Sequence, residues 1–156
     1  HYQHSMIGYN YRMSNICAGI GRGQMEVLTD RISQRRTNFE RYLKLFDKIG
    51  WKVAFQKERE GTFANRWLSA FYFEPKTFGL FFREELRLYL ESLNIESRPL
   101  WKPMHLQPIY EGCQYFGKWH QAEKIFDYGL CLPSGSNLTE VEWQRIENAI
   151  QNFAKR

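Results

Sequence analysis

Cysteine is scarce in this 156-residue chain, at three: Cys17, Cys113 and Cys131. The number is odd, the positions are far apart and no C-x-x-C pair occurs, so the pattern points to reduced, structural thiols. Histidine is nearly as sparse, at four. His1 and His4 lack a nearby carboxylate or thiol to complete a metal set, so no metal site is expected. No apolar run approaches the ~18 residues of a membrane span. The opening HYQHSMIGYN lacks the basic start, apolar run and cleavage site of a secretory signal, and a cytoplasmic chain with no membrane partner is expected. The sequence does not begin with Met, which leaves a longer parent open. A Walker loop and a G-x-S-x-G elbow are also missing. Gly19-Ile20-Gly21-Arg22-Gly23 runs G-x-G-x-G with no strand ahead of it, which is not the dinucleotide fingerprint.

What is present is the composition of a soluble globular chain, 43% apolar and 25% charged. Aromatics make up 17%, a richness that usually ends in a core or a large interface. The net charge is +5, with one dense basic run from Arg31 to Arg41. A solvated helix face accounts for that run. The alternative is a nucleic-acid or polyanion patch.

The first thirteen residues show no helical period and read as a lead-in loop. From Ser14 or Asn15, either able to cap, Ile16, Ile20, Val27, Leu28 and Ile32 follow one helical face. Three glycines in this helix each cost about 1 kcal/mol against Ala, which close approach of another backbone would explain. A helix from Arg31 to Ile49 ends at Gly50. Residues 51–55 alternate as a strand and should pair antiparallel with a second strand over 67–73. Phe82 to Leu93 has helical spacing. Ile95 to Trp101 reads as an edge strand cut by Pro99. Residues 102–118 read as a long loop with about one helical turn, followed by a short helix over 119–126 and a short strand from Gly129 to Leu132. Thr139 and Glu142 form a capping box for a last helix that buries Trp143, Ile146, Ile150 and Phe153. The fold class is therefore α/β of the α+β-like kind. Long N-terminal helices precede a small, mainly antiparallel sheet with helices on one face. Residues 1–50 form the lead-in loop and long helices, and residues 51–156 a small α/β domain.

Two segments are unusual for purely structural peptide. In Gly8-Tyr9-Asn10-Tyr11-Arg12-Met13, an amide and a guanidinium two residues apart share one side of an extended chain and can serve one anion. The plain alternative is a capping Asn and a surface Arg. Residues 97–108, SRPLWKPMHLQP, gather Arg98, Lys102 and His105 with Trp101 on a proline-stiffened loop, equipment for a polyanion or simply a packed surface loop.

The stretch IGYNYRMSN and the small-residue helix after it resemble the pyridoxal-phosphate-dependent sugar aminotransferases of the DegT/DnrJ/StrS type. So do Asn65-Arg66-Trp67, ESRPLWKPMHLQPIY at 96–110 and GLCLPSGSNLTEVEW at 129–143. The order and approximate spacing agree along nearly the whole chain. The resemblance implies the C-terminal part of such an enzyme, with residues 51–156 as the small domain of a fold-type I pyridoxal-phosphate enzyme and residues 1–50 linking to a large domain. It implies transfer of an amino group from glutamate to a keto nucleotide sugar, at C4, for surface polysaccharide or glycan synthesis. It also implies a homodimer with sites between subunits. The Schiff-base lysine belongs to the large domain, so no catalytic residue is assigned here and the chain alone is expected to be inactive. Asn10 would reach the partner subunit's cofactor phosphate. Arg12 would hold anionic substrate, and His105 would line the nucleotide-sugar pocket. Arg98, Trp101, Lys102 and Gln107 follow more weakly from loop position and charge. Two other readings stay open: a polyanion- or nucleic-acid-binding module, and a non-catalytic dimerisation domain.

Overall fold

The structure, a computed structural model, describes residues 3–9, 12–117 and 119–156. Helix α1 (Asn15–Glu26) starts where the Ser14 hydroxyl accepts the Cys17 N–H at 3.2 Å. Val27 interrupts the helical run, and α2 (Leu28–Lys48) follows. Gly50, at φ +75°, then turns the chain in a left-handed conformation that suits glycine.

Strand β1 (Ser69–Tyr72) leads to a single-turn helix, α3 (Pro75–Phe78), opened by proline at its first position. Helix α4 (Phe82–Ser92), the two-residue strand β2 (Arg98–Pro99) and two 3-10 turns (Met104–Leu106 and Pro108–Tyr110) come next. Helix α5 (Gln121–Tyr128) runs directly into β3 (Gly129–Leu132), and α6 (Glu140–Phe153) closes the chain. The Thr139–Glu142 capping box forms in both directions at the start of α6.

The sheet is antiparallel with order β1-β3-β2, and β2 lies on an edge where Pro99 costs no central ladder bond. Phe71 pairs with Leu130 and Ser69 with Leu132. The apolar members of this face meet α2, α4 and α6 through Phe39, Tyr42, Phe46, Leu86, Leu90, Trp143 and Ile150, all buried. The core is strongly aromatic: Tyr42 meets Trp143 edge-on at 4.7 Å and Phe46 meets Phe71 edge-on at 4.9 Å. The other face carries Ala70 opposite Cys131 and Tyr72 opposite Gly129.

The strand expected at 51–55 does not form. Its contact with β1 is one isolated bridge, Ala54 to Tyr72, and β1 takes β3 as its full partner. The alternation of Trp51, Val53 and Phe55 reflects packing against the core rather than ladder pairing. The basic run also differs from expectation, because three of its four arginines, Arg35, Arg36 and Arg41, are half-buried and bonded within the chain, while Arg31 stays exposed. Arg35 donates to the Trp67 and Ser134 carbonyls. Arg36 binds Glu58 and the Ala64 carbonyl and lies over Phe63. Arg41 grips Glu140 with two bonds and covers Trp143. Three of the guanidiniums that would have made a phosphate patch are thus used to hold loops and α6 to α2. Among the described residues the glycines of α1 meet no other backbone: a Cβ added at Gly19, Gly21 or Gly23 would find nothing within 4 Å.

Candidate functional site

Proline sets the local shape of the candidate loop. Pro103 and Pro108 each precede or open a 3-10 turn, and the carbonyls of Pro103 and Met104 accept from the Leu106 and Gln107 N–H groups at 3.0 Å. Gln107 is buried. Its side chain accepts the His4 backbone N–H at 2.9 Å and donates to the Lys102 carbonyl at 3.4 Å. It therefore clamps the lead-in segment to the loop. Arg98, on edge strand β2, pairs with Glu96 through Nε at 2.8 Å. Lys102 is half-buried. Trp101 lies 6.3 Å from Trp67 at an interplanar angle of 31°, so two exposed indoles from separate loops stand side by side.

His105 sits in the first 3-10 turn, and its Nε2 faces Glu123 Oε1 at 2.7 Å. The same oxygen faces His120 Nδ1, also at 2.7 Å. The Tyr115 ring lies against both imidazoles, with centroids 4.0 Å from His105 and 5.9 Å from His120. Hydrogen bonds from His120 and then His105 hold the Glu123 carboxyl below its ordinary pKa, so it stays ionised through neutral pH. Glu123 and His120 also border an open cleft of about 1090 Å³ between α5 and the second face of the sheet, lined by Ala70, Tyr72, Leu100 and Lys124 among others.

Arg12 is exposed just ahead of the Ser14 cap. Asn10 lies outside the described residues. Glu123, His120 and Tyr115 were not legible as site residues in the sequence. Their one local signal is the spacing of His120 and Glu123, three apart at a helix start, and the link to His105 spans 18 residues.

The model of the DegT/DnrJ/EryC1/StrS aminotransferase family matches residues 1–151. EpsN of Bacillus subtilis (strain 168), named as a pyridoxal phosphate-dependent aminotransferase, is 42% identical over 151 residues, 94% of this chain and 37% of its own. The GDP-perosamine synthase of Vibrio cholerae is 33% identical over 152 residues, 97% of this chain and 40% of its own. The crystal structure of a DegT DnrJ EryC1 StrS aminotransferase from Brucella abortus superposes with a TM-score of 0.75 at 23% identity, over all of this chain and 40% of that one, which shows a shared fold. The chain thus spans about two fifths of the length of these relatives.

Proposed function

Because the chain belongs to the DegT/DnrJ/EryC1/StrS aminotransferase family, we propose that it is the C-terminal portion of a sugar aminotransferase. The enzyme moves an amino group from glutamate to C4 of a keto-deoxy nucleotide sugar, for surface polysaccharide or glycan synthesis. The likeness along residues 1–151 carries this reading, with support from GDP-perosamine synthases among the relatives. Residues 51–156 serve as the small domain and residues 1–50 as the connection to a larger one. The working form is a cytoplasmic homodimer. Its partners are glutamate and the nucleotide sugar, not nucleic acid or membrane. Among the described residues no helix is long and apolar enough to cross a membrane.

The family depends on pyridoxal phosphate. Donor chemistry tests which part of that group this chain fits. Lys44, Lys57 and Lys76 are exposed on α2, a loop and α3, where none is enclosed as an amine bonded to a cofactor would be. Arg12, an exposed planar fork, suits an anion. These observations support a chain that supplies the phosphate and substrate edge of the site, with the Schiff-base lysine supplied by the larger domain. When bound, the cofactor supplies the electron sink and carries the amino group. Asn10 would hold the phosphate across the subunit boundary through one amide hydrogen bond. Arg12 holds an anionic group of the substrate with two parallel hydrogen bonds. His105 lines the nucleotide-sugar pocket, with Trp101 and Lys102 on the same loop and Arg98 on strand β2 that leads into it. Gln107 contributes by fixing the lead-in segment against that loop.

The arginines of α2 tell against the polyanion-binding alternative, since Arg35, Arg36 and Arg41 already bind groups of the chain itself. The deciding experiment incubates the protein that carries this chain with glutamate and 4-keto-6-deoxy nucleotide sugars. Production of 2-oxoglutarate matched by a 4-amino sugar is expected, and the 156-residue chain alone should give none. No transfer to any keto nucleotide sugar, together with steeply salt-dependent binding of DNA or RNA, would reverse the reading.

A further inference from the structure

We propose that Glu123 is the positioning residue for His105. It holds the ring as the Nε2–H tautomer and leaves Nδ1 as the imidazole's acceptor, for a hydroxyl of the sugar substrate. The inference rests on the reading that His105 lines the nucleotide-sugar pocket.

Three observations carry it. First, Glu123 Oε1 lies 2.7 Å from His105 Nε2 and 2.7 Å from His120 Nδ1. An ionised carboxylate only accepts, so both ring nitrogens that face it must carry hydrogen. A neutral His105 then has a single arrangement, with the proton on Nε2 and the lone pair on Nδ1. Second, the ring cannot turn freely about that bond. Tyr115 covers it at 4.0 Å with planes 33° apart, and the His105 side chain is 20% exposed while His120 is 63% exposed. His120 is thus the outer brace, and His105 is the ring held inside. Third, Glu123 stands in the first turn of α5, where the helix dipole favours a carboxylate. The two residues before α5, Trp119 and His120, have φ values of 73° and 50°. Non-glycine residues keep that conformation only where surrounding contacts fix it. The His120–Glu123 bond supplies such a contact, so the helix start, the brace and the 3-10 turn are one unit.

Orientation is separated from mere stapling by two variants and two kinds of readout, on the complete enzyme that contains this chain, loaded with cofactor and labelled with 15N-histidine. Glu123→Gln keeps the side chain's size but offers both a donor and an acceptor. Glu123→Asp keeps the carboxylate on a shorter arm. In the unchanged enzyme the ring-nitrogen shifts of His105 should be those of a single Nε2–H tautomer. Glu123→Gln should mix the tautomers and raise KM for the keto nucleotide sugar about ten- to thirtyfold. The glutamate half-reaction should stay within about twofold. Glu123→Asp should recover part of both losses. An unchanged tautomer in Glu123→Gln would overturn the proposal. So would equal losses in both half-reactions alongside a lower Tm, since those mark a structural staple. His105→Gln distinguishes failure of the underlying reading. If it leaves the sugar half-reaction intact while Glu123→Gln still scrambles the tautomer, the pocket assignment of His105 is wrong and Glu123 has no part in substrate binding.

Discussion

Glu58 shows how one carboxylate can govern a whole loop. It takes both nitrogens of the Arg36 fork and the Ala64 N–H, at 2.7 Å for the latter, and these bonds pull its pKa down to about 2. A folded pKa below the ordinary 4.5 means that the stabilisation is complete above that value and is lost as pH falls towards 2. Hydrogen exchange over residues 57–66 should therefore accelerate on acidification through that window, and Glu58→Gln should show the faster exchange already at neutral pH. Exchange indifferent to both changes would mean that Arg36 does not hold the loop. Tyr42 is a second test. Its hydroxyl, fully buried in the core, donates to the Pro133 carbonyl at 2.9 Å. Tyr42→Phe leaves that acceptor unpaired and should cost about 1–2 kcal/mol, read from denaturant unfolding. Neither partner could be named from the sequence. The Tyr42 bond spans 91 positions, and Glu58 lies in a stretch with no periodic pattern.

At the scale of elements, what was legible was what local chemistry decides. The Ser14 cap, the stop at Gly50, the spacing of Phe82, Leu86 and Leu90, and the Thr139–Glu142 box each act within a few residues, and each stands where expected. Strand β3 was legible because Gly129 and Pro133 bracket it. What failed depended on distant partners. Residues 51–55 have a strand's alternation, yet β3 is the strand that pairs β1 along its length, and on the outer edge of β1 only Ala54 forms a bridge, to Tyr72. The single-turn helix α3 was missed because four residues are too few to show a period. The candidate loop was legible as a proline-stiffened segment, but its tie to α5 through Glu123 was not. The cap of α6 gives the prediction at this scale. Thr139→Ala removes a hydroxyl that accepts the Glu142 N–H at 3.3 Å and should destabilise the protein by about 1 kcal/mol. Restoration by Thr139→Ser, with its retained hydroxyl, would show that the cap and not the methyl group is responsible.

For the molecule as a whole, α1 is the part that this chain does not explain. None of its residues is buried, and Ile16, Ile20 and Met25 are largely exposed, unlike the apolar faces of α2, α4 and α6. Ile16, Gly19, Ile20 and Gly23 recur at helical spacing and form a stripe of alternating large and absent side chains. We infer that this stripe packs against the rest of the enzyme, in line with a chain that spans about two fifths of its relatives. Gly19→Ala separates the two explanations of the glycines, because they predict opposite signs. Among the described residues a Cβ at Gly19 meets nothing within 4 Å, so within this chain the change should only improve helix propensity, by about 1 kcal/mol. If another backbone approaches closely in the assembled enzyme, the same methyl group cannot be accommodated there, and overpacking costs about 1–3 kcal/mol. Sedimentation of the whole enzyme should then show dissociation at roughly five- to a hundredfold higher concentration, if the stripe meets the second subunit. If it meets the large domain of its own chain, Tm should fall with the dimer unchanged. Val141→Asp is the control, since Val141 is 81% exposed on α6, away from α1 in sequence and element, and should alter neither quantity. An enzyme that becomes more stable with Gly19→Ala and keeps its subunit association would show that α1 faces solvent in the complete protein.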